Sequence, residues 1–341
     1  MDSAAKEILS DLRKKNYAPV YVLQGEESYY IDLISRQIEA SVLSENERSF
    51  NQVVIYGKDA PMHVILTHAK RFPMMAERQV VIVREAQDIP DLNKESGSKL
   101  LLDYISNPVP STLLVLCHKH KTFDKRRELG KKIEKLTKCA TFKKPYESQL
   151  PAFVTEYVKS KGLAIDDSGV RVFCEYIGND LNRLANEIDK LSISLAAGER
   201  ITGEKAMQQV GVSREYNIFE LQRALISRDI VTANKIVNYF EANTKKNPLI
   251  PVVAYLYSFF SKLLVASSLP DKSERAMVSA LKISPFAAKD YSRALQIYHE
   301  RALVGAVAAI AWADLQLKGV DSGARTEGQI LRELVYKLLH P

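Results

Sequence analysis

Cysteine is scarce in this 341-residue chain. Cys117, Cys139 and Cys174 are too few and too scattered for a disulfide framework or a metal site, and they read as small buried apolar residues. Long hydrophobic runs are missing too. No apolar stretch reaches the ~20 residues that span a bilayer, and the opening MDSAAKEILSDLRKKN lacks the apolar core of a secretory signal, so a cytoplasmic location with no membrane partner is expected. There is no internal repeat, no low-complexity tract and no G-x-S-x-G elbow.

Phosphate-binding chemistry is also absent where it is first sought. A phosphate loop needs G-x-x-x-x-G-K-[ST] after a strand, so that backbone N–H groups and a lysine surround the phosphates. Here the run Val20–Gln24 is followed by Gly25-Glu26-Glu27-Ser28-Tyr29-Tyr30, with one glycine, no lysine and two carboxylates where a phosphate would lie. After Val80–Val83 comes Arg84-Glu85, a cation where a magnesium-binding Asp would stand. His118-Lys119-His120 would place two imidazoles on one side of an extended segment, but no Cys or carboxylate follows at ligand spacing. Neither catalysis nor a bound ATP, magnesium or other cofactor is expected.

What the chain does have is localised charge. Lys119–Lys144 holds eleven Lys or Arg against three acids, a local +8 within a total of +7, so the rest is close to neutral. Leu129, Ile133 and Leu136 recur at near-helical spacing, which predicts a helix with most of this charge on one face. Its cations, Lys125, Arg126, Arg127, Lys131, Lys132 and Lys135, are candidate DNA contacts; a merely solvated helix face is the alternative.

The first ~145 residues alternate apolar strands with helical stretches. Strands are predicted at Val20–Leu23, Gln52–Tyr56, Val80–Val83 and Leu113–Leu116, with helices near 28–42, 61–71 and 97–106. Continuous β-branched and leucine runs suit strands buried on both faces, and so predict a parallel sheet covered by helices, an α/β domain. Beyond Pro145 the pattern is all helical: 148–161, 167–177 and 180–195, then apolar-rich stretches around 216–226, 229–242, 249–268 and 296–317.

One connection stands apart. In Lys70-Arg71-Phe72-Pro73-Met74-Met75-Ala76-Glu77-Arg78-Gln79, Pro73 disfavours helical geometry at Phe72, so the preceding helix should end there. Phe72, Met74 and Met75 then lie in a connection, bracketed by charges, as a protein-binding patch would. The plainer reading has them plugging the bottom of the core.

Taken in order, these fragments resemble the delta subunit of the bacterial DNA polymerase III clamp loader. The resemblance is carried by Tyr21-Val22-Leu23-Gln24-Gly25-Glu26-Glu27, by Ala76-Glu77-Arg78-Gln79 leading into Val80–Val83, and by Leu113–Leu116 before the basic segment. Gly178-Asn179-Asp180-Leu181-Asn182-Arg183-Leu184, Glu187, Lys190-Leu191 and Asn217-Ile218-Phe219-Glu220-Leu221 continue it over nearly the full length. It implies a degenerate AAA+/RecA-like domain at 1–145, a small helical lid at 146–212 and a helical collar domain at 213–341. It also implies a non-catalytic subunit of a DNA polymerase holoenzyme, located at replication forks in the bacterial cytoplasm. The implied partners are the sliding clamp, the loader's motor subunits and a delta-prime-like subunit through the collar, and primed DNA within the complex. The family's clamp-binding wedge falls on Phe72, Pro73, Met74 and Met75, where Pro73 and the two Met residues depart from the apolar side chains of other members. Two rival functions are an ATP-hydrolysing AAA+ enzyme with a divergent phosphate loop and an autonomous DNA-binding protein using the basic helix.

Overall fold

The computed structural model describes residues 2–196, 199–210, 217–244 and 248–340. The chain forms two compact units, Met1–Pro145 and Tyr146–Pro341. The change expected near residues 212–213 lies outside the described residues.

In the first unit the order is α1 (Ser3–Arg13), β1 (Val20–Gly25), α2 (Ser28–Ser41), α3 (Glu45–Asn51), β2 (Gln52–Tyr56) and α4 (Met62–Ala69). There follow β3 (Gln79–Arg84), α5 (Glu95–Ser106), β4 (Thr112–Lys119), α6 (Glu128–Leu136) and β5 (Lys138–Phe142). The five strands pair in parallel in the order β2-β3-β4-β1-β5. The three central strands are the three most apolar runs, as burial on both faces requires. Alternate residues Val20, Val22, Val81, Val83, Leu114 and Leu116 share one core with Met62, Ile65 and Leu66 of α4, Leu101 and Tyr104 of α5 and Ile133 of α6. Helix α2 packs on the sheet through Ile31, Ile34 and Ile38, at i, i+3 and i+7. The result is the parallel α/β layering that was expected.

Three elements of this unit were not foreseen: α1, α3 and β5. Asp2 caps α1 by accepting from the N–H groups of Ala4 and Ala5, and Ala5, Ile8, Leu9 and Leu12 form its buried face. The short α3 starts in a capping box between Ser44 and Glu47. Strand β5 hides within the basic segment, because Lys138 and the polar Thr141 leave it no continuous apolar run.

The second unit is helical: α7 (Leu150–Ser160), α8 (Asp167–Ile177), α9 (Leu181–Ser194), α10 (Gly203–Val210), α11 (Ile218–Ser227) and α12 (Ile230–Ala242) come first. They are followed by α13 (Leu249–Ser267), α14 (Glu274–Leu281), α15 (Pro285–Ile297), α16 (Glu300–Leu317) and α17 (Glu327–Leu339). Two bridging strands, β6 (Ala164–Ile165) and β7 (Arg200–Ile201), pair beside α8. Helix α13 is by length and composition apolar enough to cross a membrane, yet Val253, Leu256, Phe260 and Leu263 on one of its faces are core residues of the helical unit. The single stretch expected at 296–317 is broken, since α15 ends at Ile297 and α16 begins at Glu300. Tyr298 at the break is buried, and its hydroxyl donates to the Leu338 carbonyl at 2.8 Å. An apolar residue at the break keeps the periodicity running, so the break itself left no mark in the pattern.

Candidate protein-binding site

Helix α4 stops at Ala69, and the chain then runs irregularly to Gln79. The base of this loop is closed by the Gln79 side-chain amide, which donates to the His68 carbonyl at 3.0 Å. At its side the guanidinium of Arg78 lies over the Tyr17 ring, 5.1 Å from the centroid. The loop's apolar side chains do not plug the core. Phe72 is 81% exposed, Met74 64% and Met75 103%, with Pro73 half-buried between them. Met75 also sits in the left-handed region, at φ +51°, which few non-glycine residues adopt without compensation.

The residue before it, Met74, is held by Asn51, the last residue of α3 and 1% exposed. Its side-chain carbonyl accepts from the Met74 N–H at 2.6 Å, and its amide donates to the Met74 carbonyl at 2.9 Å. Sequence reasoning missed Asn51. Asparagine before a strand reads as an ordinary turn residue, and nothing local marks a partner 23 positions away.

The carboxyl edge of the sheet, where α/β proteins gather ligands, is closed in a different way. Gly25 is at φ +124°, and a Cβ there would lie 2.1 Å from the Phe142 carbonyl oxygen, so this glycine serves the close approach of β1 to β5. Glu27 is buried, its carboxylate accepts from the Tyr29 N–H at 2.9 Å, and its own N–H donates to Phe142. The first turn of α2 is thus capped from within the chain, and the Tyr30 and Phe142 rings pack 5.5 Å apart beside it.

Next to that turn, the Lys119 ammonium at the end of β4 lies 2.9 Å from Asp32 of α2 and 2.8 Å from Glu85, just beyond β3. Burial alone would raise the Glu85 carboxyl, but hydrogen bonds from Lys119 and Gln87 outweigh it and leave it below its ordinary value. Burial likewise opposes the Lys119 charge, and the two carboxylates overcome it and hold the ammonium above its usual range. A lysine thus bridges two carboxylates at an edge where many α/β enzymes hold a metal. Arg84, the cation expected to displace a metal ligand, pairs with Glu39 at 2.7 Å.

The basic segment departs from expectation. Only Lys131, Lys132 and Lys135 lie on α6; Lys125, Arg126 and Arg127 precede it, because Asp124 accepts from the Arg126 N–H and starts a turn that delays the helix. Part of the charge is internally matched: Lys125 pairs with Glu134, Arg126 with Asp124, and Lys138 with Glu7 and Asp11. Two hydrogen bonds from Arg126 take the Asp124 carboxyl down to about 2. A cleft of about 880 Å³ beside this segment is lined by Glu95, Asp103, Asp124 and Glu128 against Lys99 and Arg127, which does not favour phosphate.

The two histidines are separated rather than aligned. His118 is buried, with Nδ1 3.0 Å from the Lys121 carbonyl oxygen, and burial lowers its pKa, while His120 leaves the strand at φ +62° and is exposed. Cys117 and Cys174 are buried and their thiols are pushed up to about 12 by burial; Cys139 is partly buried. Among the described residues no group of three or more His, Cys, Asp or Glu is placed to hold a metal ion.

Comparison with known proteins agrees with this architecture. The family model for the delta subunit of DNA polymerase III matches residues 21–143, and the model for that subunit's C-terminal domain matches 215–337. The DNA polymerase III subunit delta of Bacillus subtilis is 24% identical over 334 residues, 96% of this chain and 94% of its own. The solved structure of the Bacillus subtilis DNA clamp loader delta protein superposes with a TM-score of 0.60 at 23% identity, covering 99% of this chain and 100% of the other. Two family models that together span most of the sequence decide the matter: the chain belongs to the delta subunits of DNA polymerase III, the clamp-loader component of that replicative enzyme.

Proposed function

We propose that this chain binds the sliding clamp through Phe72, Pro73, Met74 and Met75 and favours the clamp's opened ring, so that an ATP-driven loader can place it on primed DNA. The observation that carries this reading is the exposure of three large apolar side chains on a short loop whose backbone is fixed by a buried asparagine. Soluble proteins rarely hold such a cluster in water without a partner for it. Burying the three side chains would yield a gross gain of about 5–9 kcal/mol, enough to anchor a complex once association costs are met. Clamp opening follows if the loop binds the open form better than the closed one, because a ligand shifts an equilibrium only by such a difference.

In this reading the chain performs no phosphoryl chemistry and binds neither ATP nor magnesium. The capped first turn of α2 and the Lys119 bridge support that, and they count against an ATP-hydrolysing enzyme. The motor subunits and a delta-prime-like subunit would bind the collar domain beyond residue 213, following a lid at 146–212. The basic segment contributes at most an auxiliary DNA contact, through the cations left without an acidic partner.

The test is capture of the sliding clamp by the full chain and by the triple variant Phe72→Ala, Met74→Ala, Met75→Ala, with circular dichroism as a check on folding. Loss of capture by a folded triple variant is expected. Capture at the parent level would overturn the assignment.

A further inference from the structure

Within the first unit, only four large apolar side chains among the described residues are more than 60% exposed: Phe50, Phe72, Met74 and Met75. Three belong to the loop after α4. The fourth, Phe50 at 70%, is the penultimate residue of α3, directly before the Asn51 that hydrogen-bonds both backbone polar groups of Met74. The end of α3 that carries Phe50 is therefore tied to the loop by one buried asparagine, although 21 residues lie between Phe50 and Phe72.

Helix α3 is too well anchored for this exposure to be a matter of fraying. Glu47 closes the capping box by accepting from the Ser44 N–H at 2.8 Å. Arg48 donates to the Ala40 carbonyl at 2.5 Å and to the Leu43 carbonyl at 3.3 Å, tying α3 back to the end of α2. Asn51 also donates to the Glu47 carbonyl at 3.1 Å, completing the last turn. The helix buries Asn51 and turns Phe50 to water, the reverse of what hydrophobicity alone would arrange. A phenyl ring held in that position at an anchored helix end is suited to insertion into an apolar depression, with little conformational entropy to lose.

We infer that Phe50 is a fourth anchor of the same partner-binding surface, so that α3 and the loop meet the partner as one rigid piece. This rests on the proposed loop function, and the occupant is the same: the sliding clamp, offering Phe50 an apolar depression next to the one that receives the loop. Continuity through the Asn51–Met74 hydrogen bonds argues for one partner rather than two.

The experiment measures clamp affinity by titration for the full chain, for Phe50→Ala and for the loop triple variant, with thermal melts for each. Phe50→Ala should melt like the parent, because the ring is exposed, and should bind the clamp about tenfold more weakly, as expected for a buried aromatic anchor. Parent-level affinity in Phe50→Ala, alongside loss of binding in the triple variant, overturns this inference and leaves the loop assignment standing. Parent-level affinity in the triple variant overturns the loop assignment and this inference with it. As a second measurement, a photoreactive benzoylphenylalanine placed at position 50 should cross-link to the clamp; absence of cross-linking in a complex that still forms would also count against the inference.

Discussion

Asn51 and Met74 exchange two hydrogen bonds, one in each direction, across 23 residues of chain. A side-chain amide joins an acceptor oxygen to a nitrogen with two donor hydrogens, and Asn51 uses both atoms: it accepts from Met74, donates to Met74 and donates to Glu47. No other uncharged side chain of this length offers that combination. The Met74 backbone is thereby paired at both its N–H and its carbonyl, while the side chains of Phe72, Met74 and Met75 stay exposed.

Replacing Asn51 by Ala would leave the Met74 N–H and carbonyl without these partners, at a cost of about 1–3 kcal/mol in stability. Clamp affinity should fall as well, because the loop would have to be ordered on binding. Limited proteolysis between Lys70 and Arg78 should become faster in Asn51→Ala. Unchanged cleavage would show that the clasp does not hold the loop.

Lys119→Met should destabilise the first unit by about 1–3 kcal/mol in urea unfolding, since Asp32 and Glu85 lose the ammonium between them. Millimolar magnesium or manganese should restore part of the loss by supplying the missing charge. No gain of ATP binding is expected, because Glu27 still caps α2.

The Glu85 carboxyl lies below its ordinary value of 4.5 in the folded chain. A depressed carboxyl contributes stability that is present above its unfolded value and is lost as pH falls through its folded one. The stability gap between the parent and Glu85→Gln should therefore be full at neutral pH and shrink below about pH 4.5. Denaturant titrations at several pH values measure it; a gap that widened on acidification would contradict the pairing.

The partition of the basic segment gives a salt-dependence test. Lys131, Lys132 and Lys135 have no acidic partner among the described residues, whereas Lys125 and Arg126 do. If the segment touches DNA, neutralising the first three should flatten the plot of log affinity against log salt by about 0.7–0.9 per lost phosphate contact. Neutralising Lys125 and Arg126 should change it less. Fluorescence anisotropy with a primed duplex reads both slopes.

The parallel sheet was legible because burial on both faces imposes an unbroken apolar run, and β1, β3 and β4 show one each. Strand β5 was not, since an edge strand inside a lysine-rich segment needs only Ala140 and Phe142 to be buried. The loop could be located from Pro73, whose ring stops a helix by geometry alone. Its exposure could not, because Phe and Met are equally at home in a core; the deciding contact with Asn51 exists only after α3 and the loop are brought together. The extent of the basic helix was overestimated for a related reason. Spacing registers which residues can share a face, whereas the turn at Asp124 is set by one side chain accepting from a backbone N–H.

The bridge at the sheet edge has a consequence for how this subunit responds to its surroundings. A dissociable metal or nucleotide is present only as far as its concentration allows, and the structure around it loosens when it leaves. The Lys119 ammonium is carried on the same backbone as its two carboxylates and cannot be diluted away or chelated. The cohesion of this edge is consequently set by charges the chain itself carries, on the same unit that holds the exposed loop.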